Sequence, residues 1–269
     1  MFYGLGLGLR VIVCVKHAVN VAELRVDAET GKVEVAAAPK KMSDIDKNAV
    51  EEAVRIKEKT KCEVIAVSLG GEDAKLTLRE ALAMGADSAY LISDESLKDL
   101  DTLTHSYVLA KAIEKIGNYD LILCGEASID GFTGLMGPRI AEWLGLPHIA
   151  YVKKLEVSEN EIIAERDLED CVEVVKAKVP ALITVTRGIN EPRIPSIMGI
   201  MAASKKPLTI WKLEDLELKA DDVASISAVS VLEVKAPKIV RKGIIIEGET
   251  PEEIAEKLVE ALIKEGIIS

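Results

Sequence analysis

Aromatic residues are scarce in this chain: Phe, Trp and Tyr together supply only 3% of 269 residues. Without rings, the core must be filled mainly by Val, Ile, Leu and Ala. That is the usual filling of a parallel sheet covered by helices on both faces. Basic charge is also in deficit. Lys and Arg number 34 against 45 Asp and Glu, a net charge of −11. Nucleic-acid binders displace counterions with basic surface, so this balance argues against that class. Cys14, Cys62, Cys124 and Cys171 form no CxxC pair, and three lie in apolar runs. They read as reduced, structural thiols in a cytoplasmic protein. His17, His105 and His148 lack HxxxH or HExxH spacing, so no metal is expected. A GxSxG elbow is absent as well. No apolar run reaches bilayer length, and the start "MFYGLGLGLR" has neither a basic leader nor a small-residue cleavage site, so neither a span nor a signal peptide is expected.

What is present is rhythm. Apolar runs at 9–16, 62–68, 88–93, 119–124, 148–152 and 181–186 alternate with helical periodicity at about 43–60, 73–84, 102–116 and 134–144. Nearly half the residues are apolar, enough for a sizeable core. The pattern predicts an α/β fold with a doubly wound, mostly parallel sheet and helices on both faces. Ser43 is the expected N-cap of the first helix, with Asp46 three residues on, and Gly85 the stop of the second. "LRVDAETGKVEV" reads as a small hairpin turning at Thr30-Gly31, and 153–179 as antiparallel strands appended to the sheet. Beyond 188 the strand–helix rhythm is lost until a final helix with Thr250 as N-cap, Pro251 at N1 and Glu253 closing a capping box. The expected division is an α/β domain over 1–190 and a partner-binding segment over 191–269.

The stretch "GEASIDGFTGLMGPRIAEWLGLP" follows a buried-looking strand and opens a helix. In open α/β sheets ligands collect at that strand end, beside helix N-termini. Gly131 and Gly134 would let the backbone approach a ligand, with Thr133 as a hydroxyl donor and Asp130 as an acceptor. The stretch lacks GxxxxGK[ST], GxGxxG and any lysine. On spacing alone, a turn with close helix packing accounts for the glycines equally well. Acid–base machinery is thin, as suits a protein whose bound cofactor does the chemistry.

Four stretches together resemble the beta (small) subunit of electron transfer flavoproteins, the family that includes FixA. They are "LRVIVCVKHAV"; "KKMSDIDKNAVEEAVRIKEK" with "EVIAVSLGGEDAKLTLREALAMGAD"; the glycine-rich stretch above; and "AERDLEDCVEVVKAKVPALITVT" running into "INEPRIPSIMGIMAASKKP". The resemblance covers nearly the whole chain. It implies an adenine-nucleotide-binding, Rossmann-like domain working as a heterodimer with an alpha subunit, which holds the redox-active FAD. The pocket it implies uses Cys14, Ser43, Asp44, Ile45, Asp46, Leu69, Gly125, Ser128, Asp130, Gly131, Phe132, Thr133, Gly134 and Met136. Its ligand would be FAD, favoured by Gly131 and the Gly137-Pro138 pair as in electron-bifurcating members, with AMP as the alternative. Ser43-Asp44 replaces the family's usual Asn-Pro, and Cys171 its usual Gly. Ile197, with Met198, Ile200 and Met201, falls in the loop that docks an acyl-CoA dehydrogenase or other oxidoreductase. Packing of Ile200 and Met201 onto their own domain is the competing expectation. Electrons would leave to a quinone-reducing or ferredoxin-linked acceptor. A non-redox nucleotide sensor or scaffold of the same fold is the rival reading, and a nucleotide hydrolase a weaker one.

Overall fold

Short β-branched runs form strands because alternate side chains can be buried on two opposite faces. The computed structural model describes residues 8–27, 30–158, 160–237 and 243–268. Its strands and helices are β1 (Arg10–Cys14), β2 (His17–Val19), β3 (Lys40–Met42), α1 (Asp44–Thr60), β4 (Glu63–Leu69), α2 (Lys75–Met84), β5 (Ser88–Ile92), α3 (Thr102–Ile116), β6 (Leu121–Gly125) and α4 (Met136–Leu144). There follow β7 (His148–Val157), β8 (Glu161–Asp167), β9 (Val172–Lys178), β10 (Ala181–Val185), α5 (Ile197–Ala203), β11 (Leu208–Trp211), α6 (Ala220–Ala224) and α7 (Pro251–Lys264).

Nine strands make one sheet in the order β11-β5-β4-β1-β6-β10-β7-β8-β9. Neighbours from β11 to β7 run parallel, and β7, β8 and β9 pair antiparallel, as expected for 153–179. Val11, Val13, Val64, Ala66, Leu121 and Leu123 pack with α1 and α2. Ile12, Cys14, Ile65, Val67, Ile122 and Cys124 pack with α3 and α4 on the other face. Each fully buried Ile or Leu contributes about 1.5–3 kcal/mol relative to exposure, so these two clusters dominate the fold's stability.

Going from β1 through β4 to β5 the chain moves one way across the sheet, and β6 then starts on the other side of β1. The sheet therefore changes direction between β1 and β6. Such a switch point leaves a crevice at the carboxyl ends of the strands.

The segment beyond 188 departs from expectation. β11 adds to the β5 edge, and Leu213, Leu216 and Val223 join the α3/α4 core. Four residues are too few for an alternating pattern to show in the sequence. The hairpin near residue 30 shrinks to a single bridge, Val26 to Val33, with Ala28 and Glu29 outside the described residues. Asp101 caps α3 at Thr104 N (2.9 Å) and also accepts the N–H groups of Ala228 and Val229, tying the arm to the domain. α7 is capped as expected by Thr250, which accepts from Glu253 N at 3.2 Å. None of its described side chains is buried.

Candidate functional site

A cleft of about 120 Å³, open to solvent at its mouth, occupies the crevice between β1 and β6. Cys14 and Cys124 line it from the strand ends, Leu69 from the end of β4, and Thr102, His105 and Leu109 from α3. The last three recur at helical spacing, which puts them on one face.

Asp46 fastens the crevice. Its carboxylate accepts the N–H of Lys16 (2.8 Å), just past β1, and of Gly125 (3.2 Å), at the end of β6. Burial raises its pKa to about 7, more than the two N–H donors lower it. Ser43 stands at the expected N-cap position of α1, but Asp46 is drawn to the strand ends instead of to the cap. Ser43's side chain makes no cap bond, and its hydroxyl is buried without a partner among the described residues. The charge-capable oxygens of Asp46 satisfy two strand-end amides instead.

The glycines divide by role. A Cβ on Gly125 would overlap Asp46 Oδ1, and one on Gly137 would overlap the Thr184 methyl on β10. Both exist for close packing, one of the two readings the spacing left open. Gly134 is left-handed (φ +64°) at the turn into α4. Gly131 is loosely surrounded: the nearest atom to a Cβ there would be Ser128 Oγ at 3.5 Å.

The loop 126–135 gives the cleft its donors. α4 makes its first helical bond from Arg139 N to Leu135 O. The N–H groups of Thr133, Gly134, Met136 and Gly137 have no partner among the described residues. Unpaired amides at a helix N-terminus carry partial positive charge and suit an anion. A lysine is present after all, brought from another element. Lys16 lines the cleft, and its Nζ pairs with Asp130 at 2.7 Å. Asp130 also accepts Val19 N at 3.2 Å, which holds the loop against the end of β2.

Of the residues implied by resemblance, Cys14, Asp46, Leu69, Gly125, Ser128, Thr133, Gly134 and Met136 line the cleft. Ser43, Asp44, Ile45, Asp130, Gly131 and Phe132 do not. Ile45 is core, Asp44 pairs with Lys41 (2.9 Å), and Phe132 is 71% exposed. Lys16, Thr102, His105, Leu109 and Cys124 join the cleft without a motif to announce them. Only their positions, at strand ends and on one helix face, carried a signal. Among the described residues no group of three His, Cys, Asp or Glu is placed to hold a metal, and no helix is long and apolar enough to cross a membrane.

A second surface lies on α5, capped by Ser196 Oγ accepting Gly199 N at 3.0 Å. Ile197, Met198, Ile200 and Met201 are all exposed, and Ile194, just before Pro195, is 93% exposed. Ile200 also lines a hollow against α2. The preceding segment is held to α1. Arg193 bonds both Glu51 (2.7 Å) and Glu58 (2.6 Å), while Asn48 donates to Asn190 O at 2.7 Å. Burial pushes the Glu51 carboxyl up, but hydrogen bonds from Arg193 and Arg55 outweigh it and hold it below its ordinary value.

Comparison with known proteins supports the family resemblance read from the sequence. The electron transfer flavoprotein domain model matches residues 14–216. The electron transfer flavoprotein subunit beta of Thermoanaerobacterium thermosaccharolyticum is 39% identical over 262 residues, 97% of this chain and 100% of the relative. The subunit of the same name from Bacillus subtilis is 39% identical over 96% of this chain and 99% of its own. Subunit CarD of the caffeyl-CoA reductase-Etf complex of Acetobacterium woodii is 36% identical over 97% of this chain and all of its own.

Proposed function

The chain belongs to the electron transfer flavoprotein family, among its beta subunits, and we propose that it holds an adenine nucleotide, FAD in preference to AMP, in the cleft between β1 and β6. It works as a heterodimer with an alpha subunit, carrying electrons from an acyl-CoA dehydrogenase or other oxidoreductase. One observation carries the nucleotide reading: Thr133, Gly134 and Met136, whose N–H groups are unpaired among the described residues, line the cleft where the sheet changes direction.

The residues present fit such a group. Backbone amides and Lys16 supply donors for phosphate oxygens, Ser128 and Thr133 supply hydroxyls, and Leu69 and Leu109 supply apolar wall. A bound flavin would supply the electron-carrying chemistry. The chain's own contribution is to bind and orient it. Asp46 fixes the floor, and the Lys16–Asp130 pair fixes the loop. The resemblance of Gly131 and the Gly137-Pro138 pair to electron-bifurcating members supports FAD over AMP, and a relative that is a subunit of a reductase-Etf complex fits work inside a larger electron-bifurcating assembly.

The exposed apolar residues of α5, with Ile194, are the docking surface for the oxidoreductase. The arm and α7 pack on the alpha subunit. Residues 191–269 thus serve partners while 1–190 serve the nucleotide.

Denaturing the purified heterodimer and counting released cofactors tests this. Two flavins per heterodimer are expected. One flavin and one AMP would assign AMP to this chain, and a colourless complex releasing only adenine nucleotide would replace the electron carrier with a sensor.

A further inference from the structure

Cys14 ends β1 and Cys124 sits one residue before the end of β6. They lie one step beyond the register pair that sets Val13 opposite Leu123. Both thiols pack on the α3/α4 face and line the same cleft. Cys62 packs on the opposite face, and Cys171 is exposed in the β8–β9 turn. Of the four cysteines, only Cys14 and Cys124 share a face and a cavity.

Neighbouring strands lie about 4.7–4.9 Å apart, within the Cα separation of about 4.4–6.8 Å that a disulfide accepts. A cleft with an open mouth admits a small oxidant to side chains that bulk solvent barely touches. We propose that Cys14 and Cys124 are an oxidisable thiol pair on the cleft floor, closed to a disulfide by hydrogen peroxide entering through the mouth.

The steps balance. The Cys14 sulfur attacks one peroxide oxygen and breaks the O–O bond. It is oxidised to a sulfenic acid, while the peroxide is reduced to water. The Cys124 sulfur then attacks the Cys14 sulfur and forms the S–S bond. The sulfenic oxygen leaves with a proton as a second water. In sum, two thiols and one peroxide give one disulfide and two waters. Cys14 is the first nucleophile because it is the less buried, 7% against 3% exposed. The hydrogen bond with Cys14 and burial push the Cys124 thiol up, so it enters second, as the resolving group. A bond confined between adjacent strands belongs to the strained, reducible kind.

The test uses full-length Cys171→Ser chain co-purified with an alpha subunit, treated with hydrogen peroxide and mapped without reduction. The expected product is a Cys14–Cys124 cross-linked peptide, lighter by two hydrogens than its parts and separated by a thiol reductant. In Cys124→Ser the cross-link is lost, and dimedone traps sulfenic acid on Cys14. Recovery of both residues as free thiols, or as separately over-oxidised acids, would overturn the inference even if Cys124→Ser failed to fold. Slower oxidation with nucleotide bound would bear on what fills the cleft; the cross-link alone decides the thiol pair.

Discussion

The Asp46 carboxylate occupies the space that a side chain at Gly125 would need. A helix N-terminus and two strand ends thus meet at one buried acid, on which the shape of the crevice depends.

Substituting glycines in this region should separate packing roles from ligand approach. Gly125→Ala and Gly137→Ala force overlap with Asp46 and Thr184, and each should cost about 1–3 kcal/mol in urea unfolding. Gly131→Ala, with only Ser128 Oγ nearby at 3.5 Å, should leave the unfolding midpoint unchanged. A Gly131 variant as destabilised as the other two would contradict this division.

Asp46 should give stability a pH dependence. Its folded pKa, raised from 3.8 to about 7, means that the folded state binds the proton more tightly. This group's contribution is fully present below pH 3.8, falls as pH rises through the interval, and is lost above about 7. In Asp46→Asn that slope should vanish between these limits, read as the urea midpoint against pH. A mutant profile with the parent's slope would show that another group titrates there.

Arg193→Ala should remove the clamp on α1 and leave Glu51, 3% exposed, buried without its main partner. The loss should be about 2 kcal/mol, shrinking as acid protonates Glu51, because that folded pKa is depressed. Arg193→Lys should recover only part of it, since an ammonium cannot bridge two carboxylates as the guanidinium does. Full recovery by Lys would reduce the clamp to simple charge.

Ile194→Ser and Ile197→Ser alter side chains that are 93% and 79% exposed. Stability should stay within about 0.5 kcal/mol. Half-saturation for the partner oxidoreductase should rise by about tenfold where an apolar anchor worth about 1.4 kcal/mol is lost. An unchanged partner dependence in both variants would move docking elsewhere.

The layered sheet was legible because Val11 to Cys14, Val64 to Val67 and Leu121 to Cys124 are continuous apolar runs, as strands buried on both faces must be. β11 was not, because four residues at an edge need only one neighbour, and their partners on β5 lie more than a hundred positions away. The glycine-rich loop announced a crevice but not which glycine faces it. Gly125 and Gly137 are fixed by Asp46 and Thr184, and neither contact leaves a trace in local spacing. Lys16 was invisible for the same reason. A cation delivered from another strand end makes no P-loop motif, yet it lines the cleft and stands 2.7 Å from Asp130.

The most direct measurement is an electron-density map of this chain in complex with its alpha subunit, purified with endogenous cofactor. The account predicts an adenylate-bearing molecule between β1 and β6, its phosphate oxygens against the amides of residues 133–137. Density for that molecule elsewhere on the chain, with the crevice between Cys14 and Gly125 holding only solvent, would contradict it.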